Sequence, residues 1–171
     1  VKLLPLLVWL GATSLAPMAQ DPEPKAAAKA RLESALRAAD LQFETTPSQQ
    51  SFALQFDFAG GRRQRVLVSA TPGTAADLAV HAIYTTVWTG QEPPSAELVR
   101  TLCSRSKKFG GFYVFRDSKG VWALRFGAQF DATDLPATVG KGSPAATALR
   151  DLIEFVATVG DETVAELAKA K

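Results

Sequence analysis

A single cysteine, Cys103, in 171 residues leaves no partner for an internal disulfide. The core alone must then hold the fold, and a chain of this length can bury enough surface for that. The lone histidine, His81, and the lone cysteine cannot make a zinc site, which needs three or four ligands. No metal is expected. Flanked by Val80 and Ala82, His81 reads as a structural or exposed residue of a strand. The formal net charge is only +2, too small to send the chain to nucleic acid or to an anionic membrane. Adjacent glycines occur only in "AGGR" and "FGGF", without P-loop or dinucleotide spacing, so no nucleotide cofactor is implied. No cofactor of any other kind is suggested.

Catalytic signatures are equally scarce. His81 and Cys103 could meet in space, with Asp57 or Asp77 orienting the ring, but nothing around them resembles a nucleophile elbow or a papain-type site. Cys103 falls on the apolar stripe of a helix, which predicts burial. No pair of carboxylates stands out for glycoside hydrolysis, and Asp131, Asp134 and Glu154 read as loop or helix-surface residues. No catalytic residue is therefore assigned, and the chain reads as a non-enzyme.

What is present begins with a leader. "VKLLPLLVWLGATSLAPMAQ" runs from a basic start through a short apolar core to small residues, the order of a secretory signal peptide. Cleavage is expected after Ala19, giving 1–19 as signal peptide, 20–24 as a proline-bearing linker and 25–171 as one domain. The apolar run is broken by Pro5 and Gly11 and is short for a span of about 20 residues, so no stable membrane anchor is expected after cleavage. With no cysteine at the cut, lipidation there is excluded. The expected location is periplasmic or secreted.

The mature chain is patterned throughout. Ala28, Leu32, Ala35, Leu36 and Ala39 recur at helical spacing over 24–39, with Glu33 and Arg37 four apart on the far side. "LQFET" is a weak strand. In "SFALQFDF", Phe52, Leu54, Phe56 and Phe58 alternate with smaller or polar residues, predicting a strand with one buried face. "AGGR" turns it back into "RQRVLVSA". "TPGTAAD" links on to "LAVHAIYTTVW", rich in β-branched and aromatic residues. Pro93 and Pro94 stop that strand, and Ser95 caps a helix carrying Leu98, Val99, Leu102 and Cys103 on one side. "FYVF" and "VWALRF" make a hairpin around Asp117 and Gly120, placed for a type I turn followed by a left-handed residue. Ser143 caps a last long helix starting at Pro144, with a stripe of Leu149, Leu152, Ile153, Val156, Val164 and Leu167 and a bend or break expected at Gly160. The order is helix, three or four strands, helix, two strands, helix. That is α+β, an antiparallel sheet with helices.

The hairpin is also the place where aromatic and basic residues concentrate. Arg62, Arg63 and Arg65 cluster at one turn, and Arg105, Lys107 and Lys108 at another. Such clusters beside Tyr113, Phe115 and Trp122 are compatible with single-strand binding. A near-neutral chain bound for the envelope argues against a nucleic-acid partner, and alternation makes most of these aromatics core with a solvated basic rim. Trp122, Leu124 and Phe126 are expected beneath the long helix. Tyr113 and Arg125 are expected on the opposite face with the guanidinium meeting the tyrosine ring.

The pattern "RSKKFGGFYVFRDSKGVWALRF", followed by a long C-terminal helix, resembles the YbjN-like domains, which share the fold of the type III secretion chaperones. The likeness covers about residues 25–170. It implies that fold, a regulatory or chaperone-like role without defined chemistry, and a homodimer. The resulting expectation is a protein- or peptide-binding domain with Tyr113, Phe115 and Arg125 as candidate binding residues, on an outer sheet face or an edge strand. The alternatives are an envelope small-ligand sensor with an apolar pocket between sheet and long helix, and a hydrolase without a recognisable motif.

Overall fold

The computed structural model describes residues 25–75, 78–105 and 109–169. The expected leader and linker, Asp77, Lys107 and Lys108 lie outside the described residues. The element order is α1 (Lys25–Ala38), β1 (Glu44–Thr45), β2 (Ser51–Asp57), β3 (Arg63–Ser69), β4 (Gly73–Ala75), β5 (Leu78–Gly90), α2 (Ala96–Cys103), β6 (Gly111–Arg116), β7 (Trp122–Asp131) and α3 (Pro144–Lys169). The class is α+β, and every strand pairing is antiparallel.

The strands stand in the order β1-β2-β3-β5-β7-β6, and β4 pairs with the start of β5. Five strands thus precede α2, where three or four were expected. The addition comes from the supposed link "TPGTAAD". Val68 pairs with Ile83 and Gly73 with Val80, so β4 resumes the line of β3 along the same edge of β5. Pro72 lies in the interruption, and it has no N–H to give to a ladder.

The two hairpins turn as their residues dictate. Gly60 and Gly61 reach the left-handed region between β2 and β3, with φ of 77° and 73°. At the other turn the Gly120 N–H donates to the Asp117 carbonyl at 3.1 Å, and Gly120 has φ 85°. The Asp117 carboxylate accepts from the Lys119 and Val121 N–H groups, each at 2.9 Å. A type I turn with a following left-handed glycine is what "RDSKG" called for.

Cross-strand register sorts the side chains into two faces. Phe52, Val68, Ile83 and Ala128 are successive partners on one face, as are Leu54, Val66, Thr85, Phe126 and Phe112. This face meets the helices. Helix α1 buries Ala28, Leu32, Ala35 and Leu36, the stripe its spacing announced. Phe56 and Phe58 are only half-buried at the margin of the core, while Phe52 and Leu54 are fully inside. Phe126 packs against Phe155 of α3, with ring centres 5.8 Å apart. Leu124 instead joins Val87 and Leu102 in a smaller cluster under α2, with Val164 of α3 packed against it. Trp122 is half-buried at the hairpin end, with Arg116 5.3 Å from its ring centre.

Both helix starts follow their caps. The Ser95 hydroxyl accepts from the Leu98 N–H and the Ser143 hydroxyl from the Ala146 N–H, each at 3.2 Å. Gly160 does not break α3, which runs unbroken from Pro144 to Lys169. Its role is close approach. A Cβ there would stand 2.6 Å from the Thr85 methyl and 3.1 Å from the Gln64 amide. One residue on, Asp161 is buried and takes both a 2.8 Å bond from Arg62 Nε and a 2.8 Å bond from Arg62 Nη2. Those hydrogen bonds hold its carboxyl below the usual carboxylate range. A lowered folded-state pKa means that the ion pair stabilises fully above the unfolded value of about 3.9 and that this contribution is lost as pH falls through the folded value. The melting temperatures of the wild type and of Asp161→Asn should therefore differ near neutrality, and the gap should close progressively as pH falls below about 4. A gap that persists unchanged at pH 2 would show that the charge of Asp161 contributes nothing.

Candidate binding surface

All three helices pack on one side of the sheet, and among the described residues nothing covers the other. Around β5, β7 and β6 the helix-free face carries Tyr84, Tyr113, Phe115 and Arg125. There, register sets Thr86 beside Arg125 and Arg125 beside Tyr113. Phe115 stands beside Ala123, and Tyr84 beside Gly127. The three residues singled out from sequence, Tyr113, Phe115 and Arg125, thus share one corner of the sheet.

Their contacts differ from the expected pair. The Arg125 guanidinium carbon lies 4.0 Å from the Phe115 ring centre and 4.6 Å from that of Tyr84. The cation is flanked by a ring from each neighbouring strand. Tyr113 leans over Gly127 instead, its Cε1 3.0 Å from where a Cβ would stand. A bare glycine beside Arg125 gives the tyrosine ring a floor to lie on, so it need not stack on the guanidinium. Burial pushes the Tyr113 hydroxyl above its ordinary pKa, and Arg125 pulls it the other way, by its charge and by a side-chain hydrogen bond to the hydroxyl, so the two residues meet through the hydroxyl and not the ring face. Arg125 Nε is buried and has no hydrogen-bond partner among the described residues. Leaving such a donor unmet costs about 1–3 kcal/mol.

Sequence reasoning missed Tyr84. Its place in "LAVHAIYTTVW" shows only that it alternates with Ile83 and Thr85, not which strand lies beside it. No local signal joins it to Arg125, 41 residues on by the numbering.

The two edges of the sheet are unlike. One is β1, two exposed residues with a glutamate. The other is β6, six residues long, with Tyr113, Val114 and Phe115 exposed at 39%, 37% and 38%. Strand β7 continues to Asp131 beyond its last β6 pairing at Gly127. An open groove of about 630 Å³ lies at that step, lined by Phe109, Phe112, Ile83, Ala128 and Leu152 among others.

The remaining candidates separate. His81 is buried in the sheet, with Nδ1 2.7 Å from the Ser69 carbonyl oxygen. Cys103 is exposed, not buried, because it closes α2 and only Leu102 of that turn reaches the core. Its thiol points to the Phe112 carbonyl at 3.6 Å. The basic cluster at the first turn disperses: Arg62 pairs with Asp161, Arg63 with Asp57 at 3.1 Å, and Arg65 has no ion pair among the described residues. Arg105 pairs with Glu166 of α3. Among the described residues no group of three or more His, Cys, Asp or Glu stands together as metal ligands. No described helix is long and apolar enough to cross a membrane. Against protein-family models, curated proteins and solved structures, the chain finds no match.

Proposed function

We propose that this chain is a non-enzymatic, chaperone-like or regulatory domain of the bacterial envelope. It binds an extended segment of another protein along β6 and the adjoining helix-free face. The asymmetry of the sheet edges carries this reading. A long apolar edge strand without proline or lysine is a template for adding another strand, and folded proteins ordinarily blunt such edges. This protein blunts one edge with a two-residue strand and leaves Tyr113, Val114 and Phe115 exposed on the other. Strand addition supplies main-chain hydrogen bonds, and side chains at alternate positions supply selectivity. The groove at the step where β6 ends and β7 continues gives an apolar side chain of the incoming segment a place to enter. The run of strands between helices, followed by a hairpin and a long helix, supports a fold of the type III secretion chaperone type and the YbjN-like likeness with it.

Peptides selected from a displayed random library test the surface. The wild-type domain should enrich extended, alternating sequences, and Tyr113→Ala/Phe115→Ala should lose that enrichment with a melting temperature within a few degrees of wild type. Equal enrichment by both proteins would remove β6 as the working edge. A second copy of the chain is the competing occupant. It would show as a dimer mass in solution that the selected peptides fail to dissociate. The envelope location has its own check. Protein recovered from its host should begin near Gln20, whereas an intact leader on cytosolic protein would overturn it.

A further inference from the structure

The corner proposed above carries charge of one sign. Arg125 is its central polar group, fixed between rings from both neighbouring strands. The acidic residues on the same face are engaged or distant. Asp57 is held by Arg63, the Asp131 carboxylate accepts from the Thr133 N–H at 2.9 Å, and Glu44 sits on the far edge beside Ala53. Among the described residues Arg125 has no carboxylate partner, and its Nε has no hydrogen-bond partner. A half-buried guanidinium held in place by flanking rings is a recognition element for carboxylates, because part of its rotamer entropy is already lost.

Building on that binding surface, we infer that the segment it takes is acidic, with carboxylates on the side chains that share the helix-free face. An added strand lies about 4.8 Å outside β6, so a residue opposite Tyr113 extends the row Thr86–Arg125–Tyr113 and stands about 10 Å from the Arg125 backbone. A glutamate and an arginine reaching towards each other span that distance over the Tyr113 ring. The alternate residues of the segment face the helix side, beside Val114, and are apolar. A nucleic acid fits less well. Tyr84 and Phe115 each have a ring face covered by Arg125, which leaves less platform for bases, and a phosphate backbone cannot use the open strand edge as a ladder.

Fluorescence anisotropy with labelled synthetic probes decides it. A decapeptide alternating valine and glutamate should bind about tenfold more tightly than its valine–glutamine counterpart at low salt, the effect of one well-placed charged contact. The gap should narrow at 0.5 M NaCl. Arg125→Gln should close the gap, and Arg125→Lys should keep part of it. Arg65→Gln, three strands in from the edge and without an ion pair, should change affinity less than twofold. The glutamate-to-glutamine comparison is made on the wild-type domain, so it stands even if Arg125→Gln fails to fold. Equal binding of the two peptides overturns the acidic preference while the peptide-binding reading survives. No binding by either peptide overturns both. A loss at Arg65 equal to that at Arg125 overturns the edge geometry, and tighter binding of a ten-nucleotide oligo-dT makes the face a nucleic-acid surface.

Discussion

Phe126→Ala should lower stability by about 3–5 kcal/mol in urea unfolding, the transfer term of a phenyl ring plus the cavity it leaves. Phe126 has no exposed surface. Its ring meets Phe112 of the edge strand at 5.0 Å and Phe155 of α3 at 5.8 Å, so it joins β6, β7 and the long helix in one contact set. Aromatic pairs of this geometry add to plain area burial. Collapse around the cavity is limited, because β7 is paired on both sides at this residue, with Thr85 of β5 and Phe112 of β6. For a domain of this size the melting temperature should fall by on the order of 10 °C. Gln129→Ala, on the same strand but exposed on the other face, should cost under about 0.5 kcal/mol. A loss below about 1 kcal/mol for Phe126→Ala, outside the range for burying an aromatic ring, would mean that α3 does not seat where it is described.

Gly160→Ala should destabilise by about 1–3 kcal/mol, against the usual sign for a helix interior. In an open helix the same change gains about 1 kcal/mol from backbone propensity. Here the new methyl arrives 2.6 Å from the Thr85 Cγ2. Thr85 cannot turn away freely, because its hydroxyl donates to the Arg65 carbonyl at 2.8 Å and receives the Gln64 amide. Helix α3 must lift or the hydrogen bonds must break. Thr85→Ser removes the opposing methyl and keeps the hydroxyl, so Gly160→Ala/Thr85→Ser should be more stable than the sum of the two single changes. Additive effects in denaturant titrations would show that the helix does not approach the sheet at Gly160.

The lesson of Gly160 applies to much of this chain. Read alone, a glycine late in a helical stripe signals a bend, because propensity is the only information a single segment holds. The packed structure uses the same glycine for contact with Gln64 and Thr85, residues that lie 96 and 75 positions earlier by the numbering. Cys103 teaches the same point in reverse. Its spacing puts it on the apolar side of α2, but a short helix at the sheet margin buries only Leu102.

The chain's own periodicities determined what depends on neighbours in sequence. The stripe of α1, the alternation of Phe52 and Leu54, the serine caps at 95 and 143 and the Asp117–Gly120 turn are all local, because a helix or a hairpin turn closes its hydrogen bonds within a few residues. The same locality made "TPGTAAD" look like a link, since a three-residue strand has too few residues to show a period. Strand order is a different kind of fact. That β5 lies between β3 and β7, with α2 and β6 intervening in sequence before β7, follows from how the apolar faces of distant segments share three helices. Only that assembly sets Tyr84 against Arg125, leaves the guanidinium between two rings, and makes β6 an open edge. Contacts between remote strands are decided when the whole sheet closes its core, and no short window of sequence contains the competing partners.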